Sequence, residues 1–295
     1  MLKGPIKTWS TPVTHEQSRG IPCILCGGDR LRPYLVCEGF SYVRCAGCGL
    51  VHMNPQPVAA EVARRYQESH GADYLSYELA NEKTFLNLQE LALGDAGFAA
   101  LEKDLLSKGR PAILDVGCAT GALLEILRER GWETTGVEIC TPAQEYAREV
   151  RKLDVRALPL EDQHFPGHTF DVVLASHLIE HLNDPCAFIQ EVRRILLPGG
   201  YFLVTTPNIG GFQAKLFKNQ WRSAIFDHLF LFSIKTLSRL LRRSGFAVVQ
   251  VCTWGGLAAG TAPRALKQVF DRGAKRFGFG DVMLIKARKP GGLTP

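Results

Sequence analysis

Ile113–Leu127, ILDVGCATGALLEIL, decides the fold. Ala112, Ile113, Leu114 and Val116 form a short apolar run that reads as a strand, with Asp115 at its end. Gly117-Cys118-Ala119-Thr120-Gly121 follows as a glycine-containing turn. A helix then opens at Ala122, with Leu123, Leu124, Ile126 and Leu127 at helical spacing. Strand, glycine turn and helix aim backbone N–H groups at a bound ligand.

Outward from this unit the chain alternates strand and helix from Pro111 onward. Strands are predicted at Ala112–Val116, Thr134–Val137, Val155–Leu158, Phe170–Ala175, Tyr201–Thr206, Ala247–Thr253 and Asp281–Ala287. Helices are predicted at Ala122–Arg130, Pro142–Leu153, Asp184–Leu196 and Lys235–Ser244. Gly131, Pro198-Gly199-Gly200 and Gly245 mark helix ends. Such alternation predicts an α/β fold with a seven-stranded, mostly parallel, doubly wound sheet over residues 111–290. Two insertions, at about 208–232 and 255–280, are placed to cover a substrate. The second holds a basic amphipathic stretch with Leu266, Val269, Phe270 and Phe277 on one face.

Upstream, residues 57–110 read as a helical linker or lid. His70–Tyr77 within it is an aromatic, glycine-containing connection that either folds over a ligand or simply joins two helices. Residues 1–20 are polar and aperiodic and read as a loose tail. Between tail and helices lie Cys23-Ile24-Leu25-Cys26 and Cys45-Ala46-Gly47-Cys48. The 18 residues separating the pairs fall in the spacing window of two zinc knuckles. Residues 21–56 are therefore expected to form a small ribbon, with Tyr34–Arg44 as hairpin strands and Cys23, Cys26, Cys45 and Cys48 as four ligands. A closed tetrahedral set makes this zinc structural, and leaves Cys37 and His52 as spare candidates.

The other cysteines, Cys118, Cys140, Cys186 and Cys252, are scattered in apolar surroundings and fit a reducing compartment. The first 20 residues lack the apolar core of a signal peptide, and no apolar run nears the roughly 20 residues of a membrane span. A cytoplasmic protein is expected. The net charge of +6 permits an anionic partner without requiring one.

Glu138 ends the second predicted strand, 17 residues past Gly121. An acid so placed can accept hydrogen bonds from ribose hydroxyls, which points to a nucleoside-containing cofactor. Here the sequence resembles the class I S-adenosylmethionine-dependent methyltransferases, through Asp115–Gly121, Glu138, Phe170–Leu174, Ile179–Pro185 and Leu196–Leu203. Ala119 departs from the glycine common at its position, and Pro159 from an acid that contacts adenine. The resemblance implies a Rossmann-like sheet and a cofactor held by Asp115, Gly117, Cys118, Gly121, Glu138, Ile139, Leu160 and Ser176. Cys45–Val51 with Asn54-Pro55 looks like the zinc-binding segment of sugar C-methyltransferases. Those proteins carry a further large domain that 295 residues leave no room for, so their acceptor is not carried over.

Chemistry is expected after the fourth strand, in Ser176-His177-Leu178-Ile179-Glu180-His181. His177 or His181 could remove a proton from the methyl acceptor. The ubiquinone-biosynthesis O-methyltransferases are similar at Glu180-His181, and that resemblance implies a catalytic divalent metal, with His177 standing where they have an acid. A purely structural Glu180-His181 is the alternative. His228, in the run Phe226–Phe232, is a second candidate facing the substrate, with Trp221 and Phe226 as apolar walls. The stripe Phe212, Leu216, Phe217, Trp221 reads as a lid, or as an interfacial helix meeting a lipid-linked substrate at a membrane surface. The expected function is methyl transfer to a hydroxyl or carbon of a small molecule, with no specific nucleic acid as partner. An RNA methyltransferase using the ribbon and basic surface, and a non-catalytic cofactor-binding protein, are the alternatives. The first lacks the Pro-Pro signature of base amino methylation at Ser176–Ile179.

Overall fold

A computed structural model of the chain describes residues 18–67, 71–256 and 264–291. Residues 1–17 of the expected tail, His70 of the expected connection, and the side chain of Leu266 lie outside what is described.

The chain begins with β1 (Ser18–Arg19), β2 (Leu31–Cys37), β3 (Phe40–Cys45), β4 (Val51–Met53) and β5 (Gln56–Pro57). Helices α1 (Ala59–Gln67), α2 (Gly71–Asp95) and α3 (Phe98–Leu106) follow. The alternating part runs β6 (Ala112–Val116), α4 (Ala122–Glu129), β7 (Glu133–Val137), α5 (Thr141–Glu149), β8 (Asp154–Arg156), β9 (Phe170–Ser176), α6 (Pro185–Ile195) and β10 (Leu196–Pro207). It closes with α7 (Phe212–Phe217), β11 (Phe230–Leu231), α8 (Ile234–Arg243), β12 (Ala247–Trp254), α9 (Arg264–Phe277) and β13 (Val282–Arg288).

Seven strands pair in the order β12-β13-β10-β9-β6-β7-β8, a seven-stranded, mostly parallel sheet as the alternation predicts. β13 is antiparallel to both neighbours, and β6 to β10 run parallel. The order reverses between β6 and β9, so a crevice opens at their carboxyl ends. Central strands read as continuous apolar runs because helices cover both faces. α4 buries Leu123, Leu124 and Leu127. α6 starts cleanly, since the Asp184 side chain accepts from the N–H groups of Cys186 and Ala187, and Pro185 needs no partner there.

Two expectations change. Gly71–Tyr77 is no loop, because α2 runs unbroken from Gly71; its tyrosines have helical neighbours, and the Tyr77 ring lies tilted against that of Phe85 at 5.7 Å. The ribbon is not a separate unit. β11, from the far side of the chain, pairs with β4 (Phe230 with His52, Leu231 with Val51) and completes the sheet β11-β4-β3-β2. One buried cluster takes in Leu25, Tyr42 and Leu50 of the ribbon with Phe188, Phe202 and Leu240. No described helix is long and apolar enough to cross a membrane.

Candidate methyl-transfer site

The cofactor end is built at β6 and β7. Gly117 and Gly121 both take left-handed backbone, with φ of 76°. A Cβ on Gly121 would lie 2.5 Å from the Leu153 side chain, so the turn needs glycine for space as well as for angle. Ala119, where related turns carry glycine, is also left-handed at φ 48°. Its N–H donates to Glu138 Oε2 at 3.0 Å, and the Cys140 N–H donates to Glu138 Oε1 at 2.8 Å. Glu138 thus ties the turn to the end of β7. Ile139 beside it is half-buried, and Ser176 ends β9 across the crevice. Cys118 packs with Leu124, Ala147, Leu153 and Val155. Leu160 does not line the crevice with its side chain; it joins the core beside Phe165 and Phe188, because the short helical turn that carries it lies under α6.

Two residues missed in the sequence complete this end. α2 brings Glu82 onto the turn, where it accepts from Thr120 Oγ1 at 2.9 Å and from Arg151 Nη2 at 2.6 Å. One turn earlier it brings Glu78, hydrogen-bonded to Tyr74 and facing Glu138. Burial pushes the Asp115 carboxyl up to about 7, helped by the charge of Glu138. Burial, then Glu138, carries Glu78 to about 7 as well. Among the described residues neither Asp115, Glu138 nor Glu78 has a basic partner. Crowded carboxylates without a cation fit the sulfonium and ammonium charges of S-adenosylmethionine.

The acceptor end gathers Glu180, His181 and His228, whose ligand atoms lie within 4.8 Å of one another. The His181 and His228 rings meet edge to face at 4.7 Å. Glu180 accepts from Thr206 Oγ1 at 2.9 Å, and its backbone carbonyl accepts the N–H of Leu229 at 2.7 Å. His177 is half-exposed, with Nδ1 3.3 Å from Glu180 Oε1, and stays outside the three-residue group; it is His228, not His177, that joins Glu180-His181. Burial opposes ionisation of Glu180, but His177 and the nearby His181 and His228 outweigh it and hold the carboxyl down to about 2. Burial drives His228 down to about 3, so its ring is neutral at pH 7. Its Nδ1 lies 2.8 Å from the Ser223 carbonyl, which fixes the proton there and leaves Nε2 as a lone pair. His181 Nδ1 is buried without a hydrogen-bond partner, and buried Glu180 Oε1 has only the 3.3 Å contact to His177 Nδ1, outside hydrogen-bond geometry. Orphaned buried atoms of this kind, with a neutral imidazole, fit a divalent cation.

Trp221 is a structural anchor and not a pocket wall: its Nε1 donates to the buried Asp281 at 2.5 Å. Phe226 packs edge to face on Phe40 of the ribbon at 5.7 Å. The expected long stripe breaks after six residues of α7, and Leu216 and Phe217 are exposed. On α9, Val269 and Phe277 are exposed too, so that face is not fully packed. The ribbon braces the acceptor end, since the Tyr42 hydroxyl sits 2.7 Å from the Ile225 carbonyl and 2.8 Å from that of His228.

In the ribbon itself Cys23 Sγ and Cys48 Sγ lie 3.3 Å apart, and Cys26 Sγ and Cys45 Sγ 3.5 Å. All four sulfurs lie within 4.8 Å of one another, too far apart for disulfides and close to the edges of a tetrahedron around zinc. Backbone N–H groups of Cys48 and Gly47 overcome the effect of burial on Cys45 and bring its thiol down to about 7, whereas burial pushes the Cys23 and Cys48 thiols up in the absence of a metal charge. Cys37 and His52 remain outside this cluster.

Comparison with known proteins agrees with this geometry. A family model described as a methyltransferase domain matches residues 86–251. A ubiquinone biosynthesis O-methyltransferase of Idiomarina loihiensis is 36% identical over 104 residues, 32% of this chain and 42% of that relative. A protein of Mycolicibacterium smegmatis named a probable S-adenosylmethionine-dependent methyltransferase is 36% identical over 98 residues, 32% of this chain and 38% of its own. The matched segment thus spans less than half the length of these relatives. In fold, the chain is similar to a protein of Galdieria sulphuraria provisionally named a sarcosine dimethylglycine methyltransferase, with a TM-score of 0.51, 16% identity, and coverage of 68% of this chain and 86% of that one. With more than half of its residues inside the family model, and with the sheet and turn that the model implies, the chain belongs to the class I S-adenosylmethionine-dependent methyltransferases.

Proposed function

We propose that the chain transfers the methyl group of S-adenosylmethionine to a hydroxyl or carbon of a small molecule, a metabolite, sugar or lipid-linked intermediate. The observation that carries this reading is the pairing of two ends on one crevice: cation-seeking carboxylates at β6 and β7, and a histidine–carboxylate group following β9. The relatives' names support methyl transfer, and those of the ubiquinone type support an oxygen acceptor.

Asp115 and Glu138 would hold the amino-acid and ribose parts, with Gly117 and Gly121 letting the backbone come close. Displacement at the sulfonium carbon is in line and needs a positioned, deprotonated acceptor. His181 is placed to take that proton, because its Nδ1 has no other partner. Glu180, kept ionised, would stabilise the imidazolium that results. In place of that proton transfer, a divalent cation held by Glu180, His181 and His228 would supply positive charge to an acceptor oxygen, with His181 then a ligand and not the base. Zinc on Cys23, Cys26, Cys45 and Cys48 would be structural. The work is expected to take place in the cytoplasm.

Incubation with methyl-labelled S-adenosylmethionine and fractionated cell extract tests the proposal. Label should enter a small-molecule or lipid fraction and fail to do so with Glu138→Ala. Label confined to RNA, or none in any fraction, would contradict it.

A further inference from the structure

Away from the methyl-transfer crevice, a cavity of about 630 Å³ lies where β2 and the second knuckle of the ribbon meet the start of α8. It shares no residue with the methyl-transfer site. Arg32, Arg44, Lys235 and Arg239 line it, and no aspartate or glutamate does. Among the described residues none of these four has a carboxylate partner within 4.0 Å. Arg44 is held in place, with its guanidinium 5.6 Å from the Tyr34 ring centroid and beside Gly49.

Four like charges around so small a space repel one another, and among the described residues no carboxylate lines the cavity to compensate them. A zinc ion on the four cysteines would not account for all of them: four thiolates around one such ion would carry a net charge of −2 beside Cys45 and Cys48 at the cavity's edge, against four cations. The volume lies in the range of small-molecule sites, and a guanidinium fork matches phosphate oxygens in pairs.

We propose that this groove binds a ligand through two or more phosphate negative charges, at a site separate from methyl transfer. Such charges come either from a free di- or triphosphate compound or from the backbone of single-stranded RNA. Carboxylate ligands fit less well, because four cations on three elements call for several anionic oxygens spread in space.

Titration of the zinc-loaded full chain with inorganic pyrophosphate, and separately with a ten-residue oligouridylate, tests this. Saturable binding of either probe is expected at about 0.1 M salt, at least tenfold weaker in Arg44→Ala/Arg239→Ala, with S-adenosylmethionine affinity unchanged. Pyrophosphate binding at one equivalent identifies a free phosphate compound; binding of the oligonucleotide alone identifies a nucleic-acid backbone, and both support the site. Arg32→Ala/Lys235→Ala, exposed side chains on two other positions, repeats the test should the first variant lose zinc or unfold. Binding of neither probe, or binding unchanged in a folded double variant, overturns the proposal. Because cofactor affinity is read in the same samples, failure here is distinguishable from failure of the methyltransferase reading.

Discussion

Asp115 and Glu180 are both fully buried carboxylates on the same crevice, and their chemistry is opposite. Burial carries Asp115 up to about 7. Glu180 feels the same burial and yet is held down to about 2, because His177, His181 and His228 stand around it. At the acceptor end the protein supplies its own imidazole partners. At the cofactor end the described residues supply no basic partner, and Glu78 and Glu138 add to the imbalance. A site that keeps uncompensated acids is one whose cation arrives with the ligand, and the sulfonium cofactor is such a cation.

Four perturbations separate the two ends. The largest effect should follow removal by chelation of the zinc proposed on Cys23, Cys26, Cys45 and Cys48, or Cys45→Ser. Structural zinc is worth on the order of 10 kcal/mol in small metal domains, so the β2–β4 sheet should melt and β11 with it. Methyl transfer should vanish while cofactor affinity, measured by calorimetry, changes less than about threefold. Loss of cofactor binding together with the ribbon would show that the ends are not independent. Next, His181→Ala should lower kcat by about 10²–10⁴, the usual worth of a positioned base, and leave cofactor affinity intact. Glu138→Ala should do the reverse. Its carboxylate holds the turn through Ala119 and Cys140, and losing charged hydrogen bonds of roughly 1.5–3 kcal/mol should weaken cofactor binding about 100-fold. The smallest effect is expected for Arg151→Ala, which leaves Glu82 on the turn with only Thr120 and also removes the contact to Glu125. Stability should fall by about 1 kcal/mol in chemical denaturation, with a severalfold loss of cofactor affinity.

What was legible in the sequence follows the same division. The cofactor end is local: Ile113–Leu127 and Glu138 lie within one strand–helix–strand unit, and hydrophobic period plus glycine positions suffice to place them. All seven strands were legible for that reason. The acceptor end is assembled over long separations. Glu180 and His228 come from segments on either side of β10, and no spacing rule joins them, so His177, three residues from Glu180, looked the better partner. Trp221 looked like a pocket wall because its partner Asp281 is 60 residues away. Glu78 and Glu82 were passed over because acids on a helix usually face water, and only the packing of α2 against α5 turns them inward. The antiparallel course of β13 was equally hidden, since pairing direction depends on how the chain crosses the sheet and not on the residues of the strand.

Calorimetric titration with S-adenosylmethionine at pH 6 and pH 8, in two buffers of different ionisation enthalpy, tests the central claim most directly. Asp115 and Glu78 hold protons up to about 7 in the free protein, and a bound cation favours their charged forms. The same raised values mean that the ligand-free fold loses stability as pH rises from about 4 through 7, which the ligand restores. Binding should therefore be tighter at pH 8 and, near pH 7, release on the order of one proton. No binding at either pH, or binding that takes up protons and weakens toward pH 8, would contradict a cofactor site built from carboxylates awaiting their cation.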